Sequence, residues 1–294
     1  MHPTTRLRQL LAEPRMLTVP GAYDGLTARL IEQAGYPAVY MTGAGTAAAR
    51  GFPDFGLLTL TEMADNAGVM ARSVGVPLIA DADTGYGNEL NVTRTVREFE
   101  SRNVAALHIE DQVLSKRCGH LDGKQIVSCD EFLARILAAV AARRNPDFLI
   151  IARTDARAVA GLDEAVARAN AALAAGADMA FVEAPQTLDE MQAVPRLVKG
   201  PCLLNLVPGG KTPIVTQHEA EAMGYRMAIL PGILLRSVVE ACDQALRQLS
   251  ASGLPPALPN NAQVADLFRR LGSDEWSRLR TLYQNAAAAA GSGA

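Results

Sequence analysis

Acidic residues fall in three short clusters, Asp81-Ala-Asp83, Glu110-Asp111 and Arg153-Thr-Asp155, and each cluster ends an apolar run. Strand alternation places Asp81 and Asp83 on one side of a strand. Glu110 and Asp111 arrive from the next run. Carboxylates brought together at one mouth repel each other unless a cation is present. Oxygen-only ligands select a hard ion, and magnesium keeps several waters when one or two carboxylates hold it. The pattern therefore predicts a magnesium site, with manganese as the substitute ion.

The connection after Asp111 reads QVLSKRCGHLDGKQIVS and carries Lys116, Arg117, Cys118, Gly119, His120, Gly123 and Lys124. Long connections in compact barrels are usually functional lids. Cationic neighbours should favour the thiolate of Cys118 and bring its proton exchange towards neutral pH. Cys129, Cys202 and Cys242 read as small core or helix residues. No CxxC pair occurs, so neither a zinc site nor a disulfide framework is expected. His108 lies inside a strand and reads as a satisfied core histidine; His2 and His218 read as peripheral. No G-x-S-x-G elbow is present, which argues against a serine hydrolase.

These residues need elements to carry them. Eight short apolar runs read as strands: Met16–Gly21, Ala38–Gly43, Val76–Asp83, Ala106–Asp111, Phe148–Asp155, Met179–Pro185, Cys202–Pro208 and Met227–Gly232. Helical patterns alternate with them: Tyr23–Gly35, Thr61–Gly75, Glu89–Asn103, Asp130–Arg143, Leu162–Gly176, Leu188–Val198, Gln217–Met223 and Leu234–Leu249. Eight strand–helix units in an α/β chain predict a (β/α)8 TIM-type barrel, whose sites lie at the C-terminal strand ends. Those ends carry Thr42-Gly43, Asp81, Asp83, Glu110, Arg153, Glu183 and Asn205. The expected layout is a barrel over residues 1–250, with an extra N-terminal helix at Thr4–Leu11. A C-terminal helical extension follows over 251–294, after the Pro-rich SGLPPALPNN, and ends in a frayed Ala/Gly tail. Gly43-Ala-Gly45-Thr-Ala-Ala48 fits the dinucleotide pattern G-x-G-x-x-A, but it follows the second strand and Gly51-Phe-Pro53 cuts the helix it would need. It reads instead as a glycine-rich loop that lets backbone approach a small ligand.

Composition sets the outer bounds. Of 294 residues, 49% are hydrophobic and 20% charged, as in ordinary globular enzymes, and the net charge of −3 favours neither nucleic acid nor an anionic membrane. No apolar run reaches the ~18 residues of a spanning helix. The N-terminus lacks a signal-peptide core, so the expected location is the cytoplasm.

The run IEDQVLSKRCGHLDGKQIV, with VPLIADADTGYG before it and IIARTDARAVAGLDEAVARA after it, resembles the isocitrate lyase/phosphoenolpyruvate mutase superfamily. The KRCGH loop is similar to the 2-methylisocitrate lyase and 2,3-dimethylmalate lyase branches, and the likeness extends from VPGAYDGLTARLIEQAG to LPGILLRSV. The resemblance implies a homotetramer in which a C-terminal helix is exchanged between subunits. It implies Asp81, Asp83 and Glu110 around the metal, several through water, with Asp54 in support. Tyr40, Thr42, Gly43 and Ala44 would hold the pyruvate-like end of a small carboxylic acid. Arg153, Glu183 and Asn205 would surround the reacting atoms. Cys118 would be the acid/base, shaped by Lys116, Gly119 and His120, and Arg236 would meet a distal carboxylate. Where relatives show Asn-x-x-Glu, this chain has Asn205-Leu-Val-Pro208 followed by GGKTP, which leans towards the dimethylmalate branch, whereas Arg236 leans towards methylisocitrate.

The reading is a magnesium-dependent carbon–carbon lyase acting on a 2-hydroxy di- or tricarboxylate and releasing pyruvate. The alternatives are a phosphonate enzyme such as a carboxyphosphonoenolpyruvate mutase, an oxaloacetate decarboxylase, and a degenerate barrel that only binds. Cys118 favours the lyase, because C–P rearrangement has no evident need for a proton donor.

Overall fold

The eight apolar runs close into a parallel barrel, β1-β2-β3-β4-β5-β6-β7-β8, with β1 paired to β8. This is a computed structural model, and it describes residues 1–114, 116–257 and 263–291. The strands are β1 (Leu17–Ala22), β2 (Val39–Met41), β3 (Leu78–Asp81), β4 (Ala106–Glu110), β5 (Leu149–Thr154), β6 (Met179–Val182), β7 (Cys202–Asn205) and β8 (Met227–Leu230). Nearly every strand residue is buried, as expected for a parallel sheet covered on its outer face by helices. Val19, Ile79, Leu149, Ile151, Met179, Phe181, Leu203, Met227 and Ile229 fill the interior, and α1 (Pro3–Ala12) adds Leu7 and Leu10.

The surrounding helices are α2 (Gly25–Gln33), α3 (Gly43–Ala49), α4 (Leu60–Ser73), α5 (Glu89–Ser101), α6 (Cys129–Ala142), α7 (Ala156–Ala160), α8 (Leu162–Ala174), α9 (Leu188–Leu197) and α10 (Gln217–Met223). Polar side chains cap the N-termini of all of these but α7 and α8. Thr59 and Glu62 form a capping box on α4, and Thr216 and Glu219 do so on α10. On the inner faces Met63, Ala67 and Met70 of α4 and Val92, Val96 and Phe99 of α5 join one apolar cluster. Replacing the fully buried Phe99 by alanine would cost about 3–5 kcal/mol.

Two details depart from the sequence reading. Several strands end sooner than their apolar runs, because the backbone turns out of the sheet at φ 46° for Asp83 and φ 55° for Ala184. Asp81 and Asp83 are therefore related by a tight turn, not by alternation along a strand: the Asp83 amide donates to Asp81 Oδ1 at 3.0 Å. Gly43–Ala48, expected as a loop, is the helix α3, started by Thr42, whose hydroxyl accepts from the Gly45 amide. Its glycines serve close approach, since a Cβ on Gly43 would lie 2.9 Å from Asp81 Cγ and one on Gly45 2.9 Å from Tyr23 Cβ.

The chain divides into two compact units, Met1–Val238 and Val239–Ala294. Helix α11 (Ile233–Ser252) begins in the first; α12 (Val264–Arg270) and α13 (Ser273–Gly291) belong to the second. In the second unit Val239, Leu246, Leu267, Phe268, Trp276 and Tyr283 are exposed. Residues 258–262 of the Pro-rich stretch, Ser115 of the basic loop and residues 292–294 of the tail lie outside the described residues. Among the described residues, no helix is long and apolar enough to cross a membrane.

Candidate active site

An aromatic floor closes the barrel below the C-terminal strand ends. The Tyr40 and His108 rings stack with centroids 5.8 Å apart, and His108 meets Phe181 edge-on at 5.5 Å. Strand register brings Asp81 beside His108 and Glu110 beside Arg153. The Arg153 guanidinium lies over the Phe181 ring at 5.2 Å. Its Nε donates to Asp155 Oδ2 at 3.0 Å, and its Nη1 stands 3.1 Å from Glu110 Oε2. Burial works against the charge of Arg153, but Asp155, Glu110 and Glu183 outweigh it and keep it firmly cationic.

Asp81, Asp83 and Glu110 are all buried beside this floor. Lys116 forms ion pairs with Asp54 and with Asp83, the latter at 2.8 Å. Burial raises the Asp83 carboxyl to about 6; Lys116 opposes that shift, and Asp81 and Asp54 add to it. Both Glu110 oxygens lack a hydrogen-bond donor among the described residues, although Arg153 faces one of them as an ion-pair partner. Orphaned buried carboxylate oxygens are what a cation with its own waters would satisfy, so these acids fit a hard metal ion. Among the described residues, no three acidic, histidine or cysteine side chains converge as direct ligands.

Asp111, counted with the acidic cluster from sequence, is engaged elsewhere. It accepts from the Thr154 hydroxyl at 2.6 Å and the Asp155 amide at 2.8 Å, and pairs with Arg168 at 3.2 Å. Its strand neighbour Glu110 faces the site, so Asp111 must face the helices. His108 is only half satisfied: Nε2 lies 2.8 Å from the Tyr40 hydroxyl, while Nδ1 has no partner among the described residues.

The loop between β4 and α6 folds over the mouth. A short antiparallel bridge, Gln112 to Ile126, draws its two arms together. The Gln112 side chain accepts from the Arg117 amide and donates to the Arg117 carbonyl, both at 2.9 Å. Lys124 is buried; it donates to the Gly119 carbonyl and pairs with Asp155 at 2.9 Å. Gly119 presses so closely on the floor that a Cβ there would lie 2.6 Å from Arg153 Nη2 and 2.5 Å from Glu183 Cγ. Cys118 departs from expectation. Burial raises its thiol pKa, nearby Asp54 adds to this, and the His120 amide opposes it, so the group stays protonated near neutral pH. Of the cations expected to draw out a thiolate, Lys116 and Lys124 are spent on carboxylates and Arg117 lies over the Phe55 ring.

The far rim comes from the segments after β6, β7 and β8. The Asn205 amide donates to both Glu183 oxygens, at 3.2 and 3.3 Å, and His120 Nε2 lies 3.1 Å from Glu183 Oε1. His120 Nδ1 accepts from the Lys211 amide at 3.0 Å. A half-open cavity of about 100 Å³ lies between floor, lid and rim. Tyr40, Thr42, Ala44, Asp54, Asp81, Cys118, Gly119, His120, Arg153, Glu183 and Asn205 line it, together with Val207, Pro231, Gly232 and Leu235. Most residues predicted from sequence are thus gathered at one place. Gly43 stands just behind the wall, its amide donating to Asp81 Oδ2 at 3.2 Å. Asp83, Glu110 and Lys116 lie beneath it. Arg236 does not line the cavity; its guanidinium binds the Pro208 carbonyl. Sequence reasoning missed the apolar wall, Val207, Pro231 and Leu235, and the latch role of Lys124 with Asp155. A signal for Leu235 existed, because it opens the helix after the eighth strand.

Residues 7–250 match the family described as phosphoenolpyruvate phosphomutase. The chain is 49% identical over 232 residues to the 2,3-dimethylmalate lyase of Eubacterium barkeri, covering 79% of this chain and 80% of that protein. It is 43% identical over 252 residues to the 2-methylisocitrate lyase of Aeropyrum pernix, covering 86% and 81%. Among solved structures it is similar to oxaloacetate acetylhydrolase in complex with the inhibitor 3,3-difluorooxalacetate, with a TM-score of 0.93 and 40% identity over 96% of this chain and 97% of the other.

Proposed function

Because the chain belongs to the phosphoenolpyruvate mutase/isocitrate lyase superfamily, we propose that it is a metal-dependent carbon–carbon lyase cleaving a branched 2-hydroxy dicarboxylate to pyruvate and a second carboxylate. The observation that carries this reading is Cys118, a half-buried thiol on the lid that lines one cavity with Arg153, Glu183 and Asn205 and whose pKa burial raises. A lyase of this kind must protonate the carbanion left by bond breaking, and a positioned thiol does that.

Asp81, Asp83 and Glu110, with Asp54 in support, would hold magnesium, and manganese would serve in its place. The ion supplies Lewis acidity towards the hydroxyl and adjoining carboxylate of the substrate. Tyr40, Thr42, Gly43 and Ala44 bind the end that becomes pyruvate. The C2 hydroxyl passes its proton to a carboxylate lining the cavity, the role left to Glu183, the C2–C3 bond breaks and C2 becomes a carbonyl. The electron pair passes to C3 and is shared with its carboxylate. Arg153, fixed by Asp155 and by Phe181, stabilises the developing negative charge. Cys118 gives its proton to C3, and the lid excludes competing water.

The apolar wall narrows the substrate. Val207, Pro231 and Leu235 offer nothing to a third carboxylate, and Arg236, the side chain that could, is turned to Pro208. Alkyl groups on C2 and C3 suit that wall, which favours a dimethylmalate-like acid over a methylisocitrate-like one. Exposed apolar side chains on α11 to α13 support assembly into a homotetramer with exchanged helices. With no spanning helix among the described residues, a cytoplasmic enzyme fits this role.

The likeness to oxaloacetate acetylhydrolase favours one second reading, hydrolysis of oxaloacetate in the same pocket. The test is a magnesium-supplemented assay of keto-acid release from 2,3-dimethylmalate, 2-methylisocitrate and isocitrate, with oxalate release scored from oxaloacetate. Pyruvate from dimethylmalate is expected, and Cys118→Ser should lower kcat by about 10²–10⁴ while leaving folding intact. Turnover of oxaloacetate alone would replace the lyase reading with the hydrolytic one.

A further inference from the structure

We propose that His120 is a positioning residue, not the acid or base of the lid, and that the Gly210-Lys211 backbone after β7 fixes its tautomer. The kinetic part of this inference rests on the lyase reading; the structural part does not. His120 Nδ1 lies 3.0 Å from the Lys211 amide, which can only donate. A ring nitrogen that accepts carries no proton, so in the neutral imidazole the proton sits on Nε2. Nε2 lies 3.1 Å from Glu183 Oε1 and donates there, and the Asn205 amide nitrogen, 3.4 Å from Nε2, makes its shorter contacts to the Glu183 oxygens. Both nitrogens are then committed, one to backbone and one to a carboxylate, and neither is free to exchange a proton with a ligand. Burial supports the neutral ring by lowering its pKa, although Glu183 opposes that shift.

The segment that supplies the amide is built for the contact. A Cβ on Gly210 would lie 2.6 Å from His120 Nδ1 and 2.9 Å from the Val207 carbonyl, so only glycine lets this backbone approach. The Lys211 ammonium pairs with Asp122, which ties the same two loops together a second time. His120 thus joins three pieces: the lid that carries it, the turn after β7, and Glu183 after β6. Glu183 accepts from His120 and from Asn205, and this orients the carboxylate against Gly119 and Arg153. Cys118 is left as the lid side chain that trades a proton with the substrate.

The test is a long-range 1H–15N correlation spectrum of the full-length protein labelled with 15N-histidine, recorded near neutral pH. Of the four histidine signal sets, the one that His120→Asn removes should show the Nε2–H pattern. Gly210→Ala should shift it towards a mixture of tautomers and leave the other three unchanged. On the lyase substrate, at least one of His120→Asn and His120→Gln should keep kcat within about tenfold, since an amide replaces one of the two ring contacts, whereas loss of an acid or base costs about 10²–10⁴. An Nδ1–H tautomer or an imidazolium in the set of signals that His120→Asn removes would overturn the proposal. So would losses beyond about 10² in both amide variants with the fold intact. The spectrum needs no substrate, so it stands even if every acid offered is left uncleaved.

Discussion

The floor and the lid of this site are held in place by different means. On the floor, Asp81, Glu110 and Arg153 sit on neighbouring strands whose register is set by backbone pairing, and the aromatic stack of Tyr40, His108 and Phe181 supports them from below. On the lid, Cys118, Gly119 and His120 belong to no strand or helix. Their positions depend on contacts between side chains and loops: the Lys116 and Lys124 ion pairs with Asp83 and Asp155, the Gln112 clamp on Arg117, and the Lys211 amide and Glu183 on His120. The floor therefore keeps its geometry whether or not a ligand is present, whereas the lid can be released by breaking a few ion pairs and hydrogen bonds. The element that carries the proton donor is the one free to move, as substrate entry and product release require.

The largest effect expected from this contrast is on stability, and it comes from the floor. Arg153→Ala leaves Asp155 and Glu110 buried with their main cation gone, which should cost about 3–5 kcal/mol in urea unfolding near neutral pH. A cost below about 1 kcal/mol would mean that water reaches these acids and that the floor is no stiffer than the lid.

The corresponding lid variant should do the reverse. Gly119→Ala places a methyl against Arg153 and Glu183, so the lid cannot seat. A misplacement of about 1 Å costs on the order of 10²-fold in rate, and kcat should fall by that much while unfolding free energy stays within about 1 kcal/mol of wild type. Limited proteolysis within 112–128 should quicken in parallel. If the variant kept full activity, the seated lid would not be the working one.

How much of this was legible in the chain follows the same division. Apolar runs ending in Asp81, Glu110, Arg153, Glu183 and Asn205 exposed the floor, because burial on both faces of a parallel strand writes itself as a continuous apolar run. The shared facing of Asp81 and Asp83 was inferred from alternation, yet a positive-φ turn brings it about, and the residue pattern carries no trace of that. Asp111 looked like a fourth site acid because sequence cannot say which of two adjacent carboxylates faces inward once the strand ends. On the lid, the residues Lys116, Cys118 and His120 could be named but their partners could not. Lys124 meets Asp155, and His120 meets Lys211, only after the barrel has closed. Charge proximity along the chain even pointed the wrong way for Cys118: Lys116 turns to Asp54 and Asp83, Arg117 lies over Phe55, and the half-buried thiol has its pKa raised.

Within the floor, pH should separate the metal acids from the rest. Asp83 has its pKa raised by burial from its ordinary 3.8 to about 6, so the folded protein binds this proton more tightly than the unfolded chain does. Without metal, the proton stabilises the fold at low pH, and that contribution is lost as pH rises through about 6. Magnesium needs the ionised carboxylate and offsets the burial of its charge. The rise in Tm on adding magnesium should therefore be larger at about pH 8 than at about pH 5. An equal rise at both would remove Asp83 from the metal shell.

The smallest effect is expected at Arg236, and its smallness is informative. Its guanidinium is satisfied by the Pro208 carbonyl, and Leu235 occupies the cavity wall beside it. Arg236→Ala should change kcat/KM for a dimethylmalate-type dicarboxylate by less than about threefold, the scale of one solvent-exposed contact outside the reacting geometry. Leu235→Ala, which widens the wall, should weaken discrimination between substrates with and without the alkyl branch by about tenfold, the worth of one or two methylene contacts. If Arg236→Ala instead abolished turnover of a tricarboxylate that the wild type cleaves well, the arginine must swing from Pro208 into the cavity when the lid seats. The apolar wall would then be a resting arrangement, and the rim after β8 would belong with the lid among the moving parts of the site.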